Sequence, residues 1–226
     1  MWYLIIAAIV LALTFLFYAS YCISSQFYVE AFCKSDTKDK LVALTFDDGP
    51  DANTLQVLEI LKRNNIKAAF FCIGEKVEKM PEVVVRMQAD GHLVCNHSHT
   101  HQGLLPMWNA EKILEDYRLC DTAILKATGK NADYVRPPFG VTNPMVGNAL
   151  KQLGKKVIGW SLRTYDTNSD DPAKISQKVA RKIKPGDIVL LHDRLPHSHQ
   201  TLQLIIDNAK QSGYRIVRFD ELMGSN

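Results

Sequence analysis

The sequence contains no Cys-x-x-Cys pair, and its five cysteines (Cys22, Cys33, Cys72, Cys95 and Cys120) are odd in number. A zinc ribbon or a dense disulfide framework is therefore not expected. Cys72 and Cys95 lie inside apolar runs, where a thiol acts as a small buried hydrophobe. A block of like charge is also missing: the net charge of +3 is what remains of 27 basic and 24 acidic residues mixed along the chain. Proteins that follow a phosphate backbone gather Lys and Arg on one face, so no nucleic-acid partner is expected.

The third absence is local. No charged side chain occurs between Trp2 and Ile23 (WYLIIAAIVLALTFLFYASYCI). About 20 apolar residues suffice to cross a hydrocarbon core as a helix, so residues 1–23 are expected to be a transmembrane anchor. A cleavable signal peptide would carry Lys or Arg before the apolar run and an Ala-x-Ala-like site after it, and both are lacking. Bulky Tyr21 disfavours a lipoprotein box ending at Cys22. Lys34, Lys38 and Lys40 follow the span among Glu30, Asp36 and Asp39, a mixture that gives little indication of orientation. Residues 24–40 are polar without a clear period and read as a linker.

From Leu41 the pattern changes. Short apolar or β-branched runs (LVALTF, KAAFFCI, HLVC, DYVR, KKVIGW, DIVLL, YRIV) alternate with stretches of helical period. That alternation predicts one α/β domain over residues 41–226, with a mostly parallel sheet of about seven strands covered by helices. Asn109 and Asp171 stand at helix starts, and Gly91, Gly129, Gly154 and Gly213 where helices should stop. The strand count suits an incomplete barrel or an open doubly wound sheet. The chemically capable residues, however, follow many different strands: Asp47 and Asp48 the first, His97 to His101 the third, Arg136 the fourth, Asp166 the fifth, His192 the sixth. A barrel distributes its site in this way, whereas an open sheet concentrates it at one switch point. The expected fold is a distorted barrel.

Four motifs carry the chemistry. In Thr45-Phe46-Asp47-Asp48-Gly49-Pro50, two carboxylates end a strand, and a turn at Gly49 can bring both to one site, one for a cation and one for protons. Asn96-His97-Ser98-His99-Thr100-His101 holds three of the seven histidines. His97 and His101 would share a helical face, whereas an extended chain would align all three. With one carboxylate they make a two-histidine, one-carboxylate metal site, best suited to zinc, with cobalt, nickel, manganese or iron as alternatives. In Arg136-Pro137-Pro138-Phe139-Gly140, two prolines stiffen the backbone after a strand. A guanidinium there, set beside Asp47, would orient that carboxylate and compensate its charge. In Leu190-Leu191-His192-Asp193, a histidine ends an apolar strand and is placed to donate a proton.

In this order, over roughly Leu41 to Leu222, these motifs resemble the polysaccharide deacetylase family, the NodB-homology domains of carbohydrate esterase family four. The resemblance implies a deformed seven-stranded (β/α) barrel. It also implies a hydrolase that removes N-acetyl groups from the amino sugars of a cell-wall or surface polysaccharide, using one divalent ion. Asp47 would be the base and Asp48, His97 and His101 the metal ligands. His192 would be the general acid, Phe139 would supply an oxyanion-binding N–H, and Leu191 would line the acetyl pocket. Asp166 would pair with Arg136 and, through it, with Asp47. The partners implied are a carbohydrate polymer or glycolipid and, through the anchor, a membrane with the catalytic domain outside the cytoplasm. The fourth motif departs from the family's D-x-x-D-W. Here the chain reads Arg163-Thr164-Tyr165-Asp166-Thr167, with arginine in place of the first acid and threonine in place of the tryptophan. An O-acetyl esterase, a deformylase of a lipid-linked sugar and an inactive carbohydrate-binding module are the competing expectations.

Overall fold

The computed structural model describes residues 2–224. Helix α1 (Trp2–Tyr21) stands clear of the rest of the chain, with Ala19 its one buried residue. Its length and mean hydropathy of 2.3 are those of a helix able to cross a membrane. The C-terminal end of α1 is fastened to the fold: the Thr142 N–H donates to the Ser20 carbonyl at 2.9 Å and the Thr142 hydroxyl to that of Ala19 at 3.2 Å.

Residues 24–40, expected as a linker, are instead built into the domain. Ala31–Phe32 form strand β1, paired in parallel with β6 (Lys156–Ile158). Val29, Ala31 and Cys33 join a core cluster with Val135, Val146 and Leu150. Their period-two spacing is a strand signal, too short to stand out among polar neighbours.

The remaining strands are β2 (Leu41–Gly49), β3 (Ala69–Cys72), β4 (Leu93–Asn96), β5 (Tyr134–Val135), β7 (Leu162–Arg163), β8 (Ile188–His192) and β9 (Arg215–Val217). Their order is β1-β6-β5-β4-β3-β2-β8-β7, with β9 added to β2, and every pairing is parallel. The curled sheet is the expected deformed barrel, left open between its edge strands β1 and β7. The two strands beyond the expected seven, β1 and β7, have two residues each, too few to stand out as runs of their own.

Helices α2 (Thr54–Arg63), α3 (Gly74–Lys79), α4 (Pro81–Ala89), α5 (Ala110–Thr128), α6 (Pro144–Leu153), α7 (Pro172–Lys182) and α8 (Ser198–Gln211) surround the sheet, and α9 (Phe219–Met223) closes its lower end. Their starts follow from the sequence: the Asn109 side chain accepts the Lys112 N–H, and Asp171 accepts those of Ala173 and Lys174.

The strands bury both faces, so β2 reads as a nearly continuous apolar run, yet its alternation decides everything above it. Leu44 and Phe46 face outward to the helices, with Val189 and Leu191 of β8 and Phe70 of β3. Ala43 faces the barrel interior with Phe71, Ile188, Phe219 and Leu222. Thr45 and Asp47 continue that inner face upward, where the lining turns polar.

Candidate active site

Asp47 ends the inner face of β2 and is almost fully buried. Its partner is Arg136, which has no exposed surface. One Nη1 donates to Asp47 Oδ1 at 2.7 Å and to Thr45 Oγ1 at 3.0 Å. The remaining donors reach the end of β6, Nε to the Ile158 carbonyl at 3.0 Å and Nη2 to that of Gly159 at 2.8 Å. The guanidinium lies 3.9 Å from the centre of the Phe71 ring, which supports it from below.

Asp48 should point to the opposite face of the strand. It is turned by its own backbone, which adopts φ 74°, and by an irregularity in the β2–β3 register between Asp47 and Gly49. The expected pivot was Gly49. Its lack of a side chain serves another purpose, since a Cβ there would strike the carboxylate of buried Asp193.

His97 continues the inner face of β4. Neither a helix nor an extended strand brings His101 beside it, but a tight loop with Ser98 at φ 68° and His101 at φ 50°. The Ser98 hydroxyl oxygen accepts the His101 N–H at 3.1 Å. Asp116 of α5, which sequence reasoning passed over, clamps this loop by accepting from His99 N–H at 2.7 Å and from the Thr100 hydroxyl at 2.8 Å.

The three candidate ligand atoms of Asp48, His97 and His101 lie within 4.8 Å of one another. Asp48 Oδ1 is 3.6 Å from His97 Nε2 and 3.3 Å from His101 Nε2. His97 Nδ1 faces the Arg136 carbonyl at 2.8 Å; a carbonyl can only accept, so Nδ1 carries a hydrogen and Nε2 is the ring nitrogen turned to the cluster. Burial, helped by neighbouring His97, pushes the His101 pKa down to about 4, so that ring is neutral near pH 7. Burial would raise the Asp48 pKa, but its electrostatic interactions with the imidazoles around it, His97, His101 and His192, and a hydrogen bond from Arg194 outweigh it and hold it at about 2. Two imidazoles and one carboxylate fit a divalent ion. Arg194 Nε donates to the other carboxylate oxygen, Oδ2, at 2.9 Å, leaving Oδ1 for the ion.

Two expectations are corrected here. Asp166 does not pair with Arg136: its Oδ1 is 2.8 Å from His192 Nδ1 and its Oδ2 accepts the His192 N–H at 2.7 Å. The reason is adjacency, since β7 lies beside β8 and delivers Asp166 to the end of that strand. The site therefore contains two separate pairs, Arg136 with Asp47 and Asp166 with His192. Burial alone would lower the His192 pKa, but the Asp166 hydrogen bond and the charges of Asp166, Asp47 and Asp48 prevail and raise it. Leu191, expected in the acetyl pocket, faces the outer core with Phe46. Leu190, on the same side of β8 as His192, lines the cleft in its place.

The cleft, about 420 Å³, brings together Asp47, Asp48, His97, His101, His192 and Phe139, with Trp160, Arg163 and Arg194 at its walls. Phe139 adopts φ 61° and sets its ring edge-on to His101 at 4.6 Å. Gly140, at φ 68°, leaves room for the Trp160 ring, where a Cβ would collide.

The family model described as polysaccharide deacetylase matches residues 34–158, more than half of the sequence. The chain belongs to the polysaccharide deacetylase family. Among the family's curated members, it is 34% identical over 187 residues to the peptidoglycan-N-acetylglucosamine deacetylase PgdA of Listeria monocytogenes, covering 82% of this chain and 39% of that protein. It thus spans about two-fifths of that relative's length. The chitin deacetylase of Colletotrichum lindemuthianum superposes with a TM-score of 0.80 at 30% identity, over 87% of this chain and 92% of that one. A pseudoenzyme of carbohydrate esterase family four from Bacillus anthracis also superposes with a TM-score of 0.80, at 26% identity, over 87% and 69%.

Proposed function

We propose that this polysaccharide deacetylase family member is a metal-dependent hydrolase that removes N-acetyl groups from N-acetylated amino sugars. Water and the amide give acetate and a free amine. The observation that carries this reading is the pair of dyads, Asp47 with Arg136 and His192 with Asp166, on the walls of one cleft that also holds Asp48, His97 and His101. The last three would hold the ion, zinc first, with cobalt, nickel, manganese or iron alternatives. Such an ion, when bound, supplies a Lewis acid that polarises the acetyl carbonyl and promotes ionisation of water.

The chain's own groups do the rest. Asp47, held by Arg136, takes the proton of the attacking water. The Asp166 carboxylate, which accepts Nδ1–H and raises the His192 pKa, favours the doubly protonated ring, and that ring delivers its Nε2 proton to the departing amine. The Phe139 N–H is assigned to the developing oxyanion on the family resemblance. Anchorage through α1, with the domain outside the cytoplasm, belongs to the same proposal. It is supported by the composition of α1 and by the docking of its end against Thr142.

A carbohydrate-binding module without turnover is the second reading, prompted by the likeness to the B. anthracis pseudoenzyme. The presence of Asp47, Asp48, His97, His101 and His192 argues against it. Acetate release from N-acetylglucosamine oligomers by the full-length protein in detergent separates the two. Parallel O-acetyl and N-formyl substrates, read by mass spectrometry, test the esterase and deformylase alternatives. Asp47→Asn should abolish turnover with metal content retained, and turnover at the normal rate in that variant would overturn the assignment.

A further inference from the structure

Three cavities meet at the exposed side chain of Arg163. One is the cleft already described. The second, about 720 Å³, begins at Tyr21 and Cys22, where α1 ends, and is lined by Arg163, Arg181, Lys182 and Lys184. Its one carboxylate, Asp187, is engaged by Lys34 at 2.9 Å, by the Ser161 hydroxyl at 2.8 Å and by the Lys184 N–H at 2.7 Å. The other four cations have no carboxylate in ion-pair reach among the described residues.

The third cavity, about 840 Å³, also touches Tyr21 and is lined by Leu104, Met107, Phe139 and Val141. Leu104 and Met107 are 71% and 79% exposed. Single exposed apolar residues are ordinary. These two, however, stand beside the point where a membrane-crossing helix joins the domain, the place from which an apolar side chain enters a bilayer interface. Thr142, three residues beyond Phe139, holds the end of α1, so the rim of the cleft and the helix keep a fixed relation.

Four uncompensated cations beside the cleft match an anionic group, and guanidinium and ammonium groups together suit phosphate oxygens. A neutral sugar polymer would leave them without a counter-charge. The departure at Arg163 has the same sense, because the acid that it replaces would repel a phosphate.

We propose that the sugar reaches the cleft from the bilayer as a glycosylated lipid phosphate. The lipid lies against Leu104, Met107 and Phe139, and Arg163, Arg181, Lys182 and Lys184 hold the phosphate or diphosphate. The N-acetylated sugar extends to Asp47 and His192. This inference rests on the deacetylase reading and narrows its substrate.

The test compares three probes on the full-length protein in lipid nanodiscs: polyprenyl-diphosphate-linked N-acetylglucosamine, soluble N-acetylglucosamine 1-phosphate, and the neutral tetramer of N-acetylglucosamine. The expected order of kcat/KM is lipid-linked sugar, then sugar phosphate, then tetramer. The double variant Arg181→Gln/Lys184→Gln should raise KM for both phosphate probes, relative to the tetramer, by roughly tenfold or more. Leu104→Ser/Met107→Ser should raise KM for the lipid-linked probe relative to the sugar phosphate. A tetramer turned over as well as the lipid-linked sugar, or unchanged KM ratios in the variants, overturns the lipid-phosphate assignment. Tetramer turnover lost in Asp47→Asn would then leave the deacetylase reading standing. Absence of acetate from all three probes overturns both.

Discussion

Replacing Arg136 by Met keeps much of the side chain's length and its packing on Phe71, but removes the charge and all four hydrogen bonds of the guanidinium. Asp47, 4% exposed, would then lie buried without the guanidinium that balances it, and the Ile158 and Gly159 carbonyls at the end of β6 would lose their donor. Removing one partner of a buried pair costs about 3–5 kcal/mol. At roughly 2–4 °C per kcal/mol for a domain of this size, the midpoint of thermal unfolding should fall by about 10 °C.

Asp47→Asn has a separate cost, because it leaves the guanidinium charge uncompensated. In the double variant neither charge remains, so the second substitution should cost less than it does alone. Tryptophan fluorescence during urea unfolding of all four proteins gives the coupling energy, expected to be about 2 kcal/mol. A coupling below about 0.5 kcal/mol would refute the argument, because the two side chains would then contribute independently despite their 2.7 Å contact.

Asp166→Asn removes the hydrogen bond and charge that raise the His192 pKa, so the loss of kcat at high pH should move to lower pH, with kcat down by about tenfold or more. Asp116→Ala frees the loop between His97 and His101; metal affinity measured by competition with a chelator should fall about 10–100-fold, with kcat at saturating metal much less affected. His92, away from the cleft, accepts the Ala68 N–H through Nδ1, and burial, helped by Lys67, lowers its pKa to about 4. Its unfolded value is near 6.5, so below that pH the unfolded chain takes up a proton that the native ring refuses. Stability should therefore decline between about pH 6.5 and pH 4, by up to about 3 kcal/mol. Urea unfolding of the wild type and His92→Gln across that window checks this: the decline should be shallower in the variant.

The barrel and the gathering of its polar residues were legible because they follow from period. Asp47, His97, Arg136 and His192 each end a strand, and parallel strands bring their ends together. The assignment of Leu191 ignored the same rule, since alternation along β8 puts Leu190, not Leu191, on the side of His192. The partner of Asp166 had no signal in the motif; it depends on β7 lying against β8, a pairing two residues long. Asp116 and Arg194 are likewise ordinary charged residues until the fold sets them against the histidine loop and Asp48. Strand β1 escaped notice because the alternation of Val29, Ala31 and Cys33 is too short to stand out among its polar neighbours.

Among the described residues, seven other than glycine have left-handed backbones, and five of them, Asp48, Ser98, His101, Phe139 and Tyr165, lie in or beside the cleft. Each is held in a conformation that costs of order 1 kcal/mol or more relative to its alternatives. Stability and catalysis therefore make opposing demands on the same backbone. Glycine at Ser98 or Tyr165 would relieve part of this local strain, while loosening the placement of the neighbouring ligand His97 and of Asp166. Selection for thermal resistance alone would be drawn to these positions, and the proteins it recovered would be those whose cleft had lost its fixed form.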